Sequence, residues 1–294
     1  MFMVITMRVI TILLVLQLSI LLGRAFPMPG VSKGKKGRPP TQSSISTAAR
    51  QRNPGSQTPV PSFPPSHWVN PYRNCNMEKT KAIDNWIMDA FNMTFEAEHM
   101  TRDHPAFNRF FFGHDFPSFE MMIRSLNSRR GLGTDQKYIV RCADNGQKQC
   151  PPNTWLAVDI PGHAICICSD MFHHETAKIT LASKPFDGSE DGWCRPPPHD
   201  LDLYMLSARA LLSRMIRIRL QTAEDYREGD LRIWTSARNL KSDYTKWKQS
   251  DPRRRGHPPP PPLSNPESYV ASIVEFFLTR KCGKAFNPDK IIWN

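Results

Sequence analysis

Residues 203–220 read Leu203-Tyr204-Met205-Leu206-Ser207-Ala208-Arg209-Ala210-Leu211-Leu212-Ser213-Arg214-Met215-Ile216-Arg217-Ile218-Arg219-Leu220. Apolar side chains recur at 205, 208, 211, 212, 215, 216 and 220, three and four residues apart. That spacing predicts a helix with one apolar stripe, the longest of the chain and central to its core. Ala208, Leu212, Met215 and Ile216 are expected to face inward.

The elements around it follow from the same rules. Ala82–Phe95 has helical spacing at Ile83, Trp86, Ile87, Ala90 and Phe91. A run of aromatics, Phe107, Phe110, Phe111, Phe112 and Phe116, leads into a second helix at Phe119–Leu126. Tyr138–Cys142, Trp155–Val158 and Ala164–Cys168 read as strands, with Pro161-Gly162 as the turn between the last two. A loop rich in Pro, Gly and Asp fills 185–200, five prolines run from Pro258 to Pro262, and Tyr269–Leu278 reads as the last helix. A helix, then strands, then helices predicts an α+β domain over residues 67–294.

Two segments precede that domain. Arg8, the apolar run 9–22 and Gly23-Arg24-Ala25 have the pattern of a secretory signal over 1–25. The run is short for a membrane anchor, and no later stretch approaches about 20 apolar residues. Residues 26–66 hold nine prolines and few apolar side chains, so they are expected to form a disordered tether. The basic cluster Lys33–Arg38 within it reads as a solvated tail.

The 294 residues carry a net charge of +12, but eight of the 39 basic residues lie in 1–66, where there is no acid. The rest sets 31 basic against 27 acidic residues, a net of +4. A large electrostatic footprint for nucleic acid is not expected.

All seven cysteines follow the tether. In an oxidising compartment most are expected to pair, with one left over for a free thiol or a bond to another chain. Cys166 and Cys168 share one face of a strand. The expected pairs are Cys142–Cys150, Cys168–Cys194 and Cys75–Cys282, leaving Cys166. Asn92-Met93-Thr94 is a candidate glycosylation site.

His173-His174-Glu175 opens like the zinc motif His-Glu-x-x-His, but Lys178 stands where the second histidine belongs. An exposed polar corner is the reading of this segment. The other histidines lack ligand spacing, and no nucleophile elbow, phosphate loop or dinucleotide fingerprint occurs.

The order of landmarks resembles a known family. Val140-Arg141-Cys142-Ala143-Asp144, then Cys150, then Ile165-Cys166-Ile167-Cys168-Ser169-Asp170-Met171-Phe172 is similar to the secreted fungal metallopeptidases of the deuterolysin and lysine-specific metallo-endopeptidase type. Those enzymes continue with a helix carrying Leu-Leu-His-Glu-x-x-His, an Asp-Tyr-x-Tyr-Gly segment with the third zinc ligand, and Asn-Ala-Asp-Ser-Tyr opening the last helix. Here the corresponding segments are Leu211-Leu212-Ser213-Arg214-Met215-Ile216-Arg217, Asp225-Tyr226-Arg227-Glu228-Gly229 and Asn265-Pro266-Glu267-Ser268-Tyr269. The resemblance spans roughly 75–285 and implies a zincin-like fold, a small sheet packed on a central helix.

It also implies lost chemistry. Ser213 and Arg217 replace both zinc-binding histidines, Arg214 replaces the catalytic glutamate, and Asp225 alone remains of the ligands. A guanidinium does not deprotonate near neutral pH and cannot bind metal, and without the glutamate no base activates water. The expectation is a secreted, catalytically degenerate protein without zinc, not an enzyme, binding an extracellular peptide or protein in the old cleft beside Tyr226 and Tyr269. The alternative is an active metalloendopeptidase, or another hydrolase, using non-standard ligands. Arg217 is expected to pair with Asp225 where the metal would sit; Arg214 or Arg209 could do this instead, or all three could point to water.

Overall fold

The computed structural model describes residues 72–127, 138–152, 154–159, 161–200, 207–221, 226–227, 233–251 and 259–292. The chain divides into two units, Met1–Ser56 and Gln57–Asn294, and every described residue belongs to the second. The signal and tether segments therefore lie outside the described residues.

Helix α1 spans Met77–Ala97. Its N-cap, Asn76, accepts a hydrogen bond from the Lys79 amide at 2.8 Å, which satisfies one of the orphan donors of the first turn. Ile83, Trp86, Ile87, Ala90 and Phe91 are buried along one face, as their spacing predicts. A short helix α2, Pro105–Phe110, follows, with proline at its start and the His104 ring accepting from the Ala106 amide at 3.1 Å. Helix α3 covers Phe116–Asn127. Phe107, Phe110 and Phe111 of the aromatic run are fully buried, and Phe107 lies 5.4 Å from Phe111 and 5.3 Å from Phe119, ring centre to ring centre.

Strands β1 (Ile139–Ala143), β2 (Thr154–Asp159) and β3 (Ala164–Cys168) form the sheet, with a two-residue β5 (Tyr226–Arg227) on its edge in the order β1-β3-β2-β5. β3 runs antiparallel to β2, its hairpin partner, and parallel to β1. Val140, Leu156, Ile165 and Ile167 point into the main core. Cys166, Cys168 and Ala157 lie on the opposite face with Cys150 in a small satellite cluster. A five-residue helix α4, Ser169–His173, leaves the end of β3.

Beyond it, β4 (His199–Asp200) pairs in parallel with β6 (Ile291–Ile292). Helix α5 covers Ser207–Leu220, α6 covers Ile233–Gln249, and α7 covers Pro266–Cys282. The result is an α+β domain. α5 is central, packed against α1, α7 and β2. Among the described residues its 14 residues make it shorter than α1, which has 21. Helix α6 is not among the elements expected from the sequence. Among the described residues no helix is long and apolar enough to cross a membrane.

Three disulfides join Cys75–Cys142, Cys150–Cys168 and Cys194–Cys282, and Cys166 is the free thiol. The six bonded cysteines and the odd one are those expected, but all three pairings differ. Cys142 belongs to the main core and Cys150 to the satellite cluster across the sheet, so they cannot bond. The segment before α1 lies along β1, where Arg73 accepts from the Cys142 amide at 2.9 Å, and this brings Cys75 to Cys142. Cys282 ends α7 beside the loop that carries Cys194. Cys166 is only 3 % exposed, so a bond to another chain is out of its reach in the folded domain.

Candidate functional site

Helix α5 has no solvent stripe. Every residue from Ser207 to Ile218 is buried, because α1, α7 and β2 cover it on different sides. Ala208, Leu212, Met215 and Ile216 face the core as expected, but so do the polar positions between them. Arg209 is 3 % exposed, Arg214 0 % and Arg217 6 %, so none of the three points to water. Ser213 is completely buried.

The group that meets the matched positions comes from α7. Asn265 caps that helix, its side chain accepting from the Glu267 amide at 3.2 Å, and Pro266 occupies the first position. This sets the Glu267 carboxylate in the first turn, where the helix dipole favours negative charge. The Ser213 hydroxyl donates to Glu267 Oε1. An Arg217 terminal nitrogen lies 3.7 Å from the same oxygen. Glu267 is itself 5 % exposed. Ser213 and Arg217, one turn apart, therefore converge on one buried carboxylate and tie α5 to α7.

The remaining candidate positions separate. Asp225 lies outside the described residues. Tyr226 contributes its backbone to β5, and nothing of its side chain is described. Tyr269, expected to line a cleft, is buried in the aromatic core instead. Its ring centre is 4.9 Å from that of Phe111 and 5.7 Å from that of Phe119, and its hydroxyl donates to the Leu263 carbonyl at 3.2 Å. Burial holds its phenol protonated well above the ordinary range. Asn92 is half-buried within α1, and Thr94 of the same triplet is buried, its hydroxyl 2.8 Å from the Asn127 side-chain oxygen. His173 and Glu175 form an exposed corner after β3, and His174 packs on Trp155 at 4.2 Å.

Glu275 and Asp89 are buried acids that no sequence pattern marks. Glu275, on α7, binds Arg109 at 3.0 Å. Asp89, on α1, accepts from the Leu181 amide at 2.7 Å, and burial raises its carboxyl to about 6. Glu267 carried a visible signal, since Asn-Pro-Glu is a helix-opening pattern that places the acid in the first turn. Nothing in the sequence tells that this turn faces a buried helix.

Zinc, implied by the family resemblance, does not fit the described donors. A tetrahedral site needs several imidazole, thiolate or carboxylate ligands. Here one carboxylate is already engaged by a hydroxyl and a fixed cation. Among the described residues no group of three or more His, Cys, Asp or Glu could hold a metal ion. No family model, curated protein or solved structure matches this chain.

Proposed function

We propose that this is a secreted, disulfide-bonded, zincin-like protein of fungal type that acts by binding an extracellular peptide or protein and not by peptidase catalysis. One observation supports the reading above others: Ser213 and Arg217, the positions matched to the zinc-binding histidines, share the buried Glu267 carboxylate. A metal-dependent hydrolase needs lone pairs and an open position there. This chain offers a hydroxyl whose proton is committed, a guanidinium, and a carboxylate closed between them. The three disulfides suit an oxidising compartment, in keeping with the signal pattern of residues 1–25.

The test is metal analysis of the purified chain together with casein cleavage, with and without a chelator. The expected result is zinc well below one equivalent, no cleavage, and a melting temperature unmoved by the chelator. Casein cleavage abolished by the chelator overturns the reading, as does one tightly held zinc per chain. Expression of the full chain in a eukaryotic host tests the leader: the medium should hold a product that starts after residue 25.

A further inference from the structure

The modest positive charge of residues 67–294 is concentrated in one stretch of the sequence. Residues 233–255 hold Arg238, Lys241, Lys246, Lys248, Arg253, Arg254 and Arg255 against Asp243 and Asp251, a net of +5. Residues 67–294 total +4, so everything else in that region sums to −1. Most of this charge rides on α6, a helix about 25 Å long at 1.5 Å per residue.

A row of rings runs from the segment between α2 and α3 onto this helix. His114 stacks on Phe112 with ring centres 5.6 Å apart, Phe112 lies 6.1 Å from Tyr244, and Tyr244 lies 6.0 Å from Trp247. Lysines sit over this row: Lys241 Nζ is 5.2 Å from the Phe112 ring and Lys248 Nζ is 4.8 Å from the Tyr244 ring. Helical spacing builds it, since 241, 244 and 248 fall on one face. Lys241 also donates to the Asn108 carbonyl, which anchors the helix to the end of α2. His114, Lys246 and Lys248 are exposed, while Phe112, Tyr244 and Trp247 are half-buried.

A row of ring faces flanked by cations complements a polymer that alternates flat, weakly polar ring surfaces with negative groups. We propose that this face of α6 binds an acidic polysaccharide. Lys248 swings off the Tyr244 ring to meet a carboxylate or sulfate group, as Lys246 does from the exposed side of the helix, and a sugar ring takes the Tyr244 face that Lys248 leaves. Single-stranded nucleic acid combines stacking with negative charge in a similar way. The disulfides favour the polysaccharide, because an oxidising extracellular setting is rich in acidic glycans and poor in nucleic acid.

The experiment titrates the intact protein with heparin, with polygalacturonate and with a single-stranded oligothymidylate at low salt. Binding of at least one polysaccharide is expected, weakening as salt rises. The K246E/K248E pair should weaken it about tenfold or more, since each reversal turns an attraction into a repulsion. Both side chains are exposed, and the Lys246–Asp243 pair at 3.7 Å is a surface contact of little worth; an unchanged far-UV circular dichroism spectrum and melting temperature check that the variant keeps its fold. Tyr244→Ala should weaken binding severalfold while leaving its salt dependence unchanged. Reversal of two exposed lysines elsewhere, K148E/K178E, should leave the affinity within about twofold. Failure to bind either polysaccharide, equal affinity of K246E/K248E and the unaltered chain, or tighter binding of the oligothymidylate overturns the proposal.

Discussion

Replacing Arg217 by methionine removes the cation from the buried Glu267 carboxylate while keeping much of the volume of the side chain. At 3.7 Å, and with an effective dielectric constant of about 20, the gross attraction is about 4–5 kcal/mol. Not all of it is lost as stability. Glu267 keeps the Ser213 hydroxyl and its place in the first turn of α7, and removal of Arg217 relieves the cost of burying that charge. A net loss of about 3 kcal/mol is the expected balance for breaking one side of a buried pair. Glu267→Gln removes the carboxylate that Arg217 and Ser213 share and should cost a similar amount. The R217M/E267Q double variant has neither charge, so it should lose about 1–3 kcal/mol less than the sum of the single losses. Denaturant unfolding of the four proteins reads these differences directly. Melting temperatures should follow at about 2–4 °C per kcal/mol for a domain of this size. Single losses below about 1 kcal/mol, or losses that add to within about 0.5 kcal/mol, would refute the coupling of α5 to α7 through this carboxylate.

Asp89 predicts a pH effect of definite sign. Its carboxyl is raised by burial from 3.8 to about 6, so the folded state favours the protonated form; that advantage is full below pH 4 and is lost as pH rises through 6. Asp89→Asn should therefore be more stable than the unaltered chain at pH 8 by a few kcal/mol, the gap closing toward pH 4, as followed by denaturant melts. Removing Cys194–Cys282 by double replacement with alanine opens a loop of 88 residues and should cost roughly 4–5 kcal/mol in unfolding experiments. Cys166, buried and with its thiol raised mainly by desolvation, should react with a thiol reagent only after unfolding; rapid labelling of the native protein would contradict its placement.

The elements with a clear period were legible. Ile83, Trp86 and Ile87 announced α1, and the alternation of Ile165 and Ile167 with Cys166 and Cys168 announced β3 and its two faces. Helix α6 does carry a stripe, with Ile233, Ala237, Leu240, Tyr244 and Trp247 three and four residues apart, but the lysines and arginines between them give the segment the look of a basic loop. The disulfide pairs escaped for a different reason. Closeness in sequence suggested Cys142–Cys150, but only the register of the sheet shows that the two cysteines face opposite sides of it. Long-range pairs such as Cys75–Cys142 depend on an extended segment laid along β1, and Arg73-Asn74-Cys75 gives no periodic sign of it.

The polar residues of α5 show where periodicity stops being informative. A stripe at 208, 212, 215 and 216 tells which face is apolar, and the usual inference sends the remaining face to water. That inference holds only when one side of the helix is covered. With α1, α7 and β2 around it, α5 must bury Arg209, Ser213, Arg214 and Arg217 as well, and a buried cation needs a buried acid. The acid that meets Ser213 and Arg217 sits some 50 residues away in the first turn of another helix, placed there by Asn265 and Pro266. A local reading of Ser213-Arg214-Met215-Ile216-Arg217 shows a hydroxyl and two guanidiniums among apolar side chains. It cannot say which acid meets them, because that depends on how α7 crosses α5. Through Glu267 the cluster is a joint between two core helices, closed to solvent on every side. The exposed lysines of α6 are its opposite: charge left in water, where burial imposes no partner from within the fold.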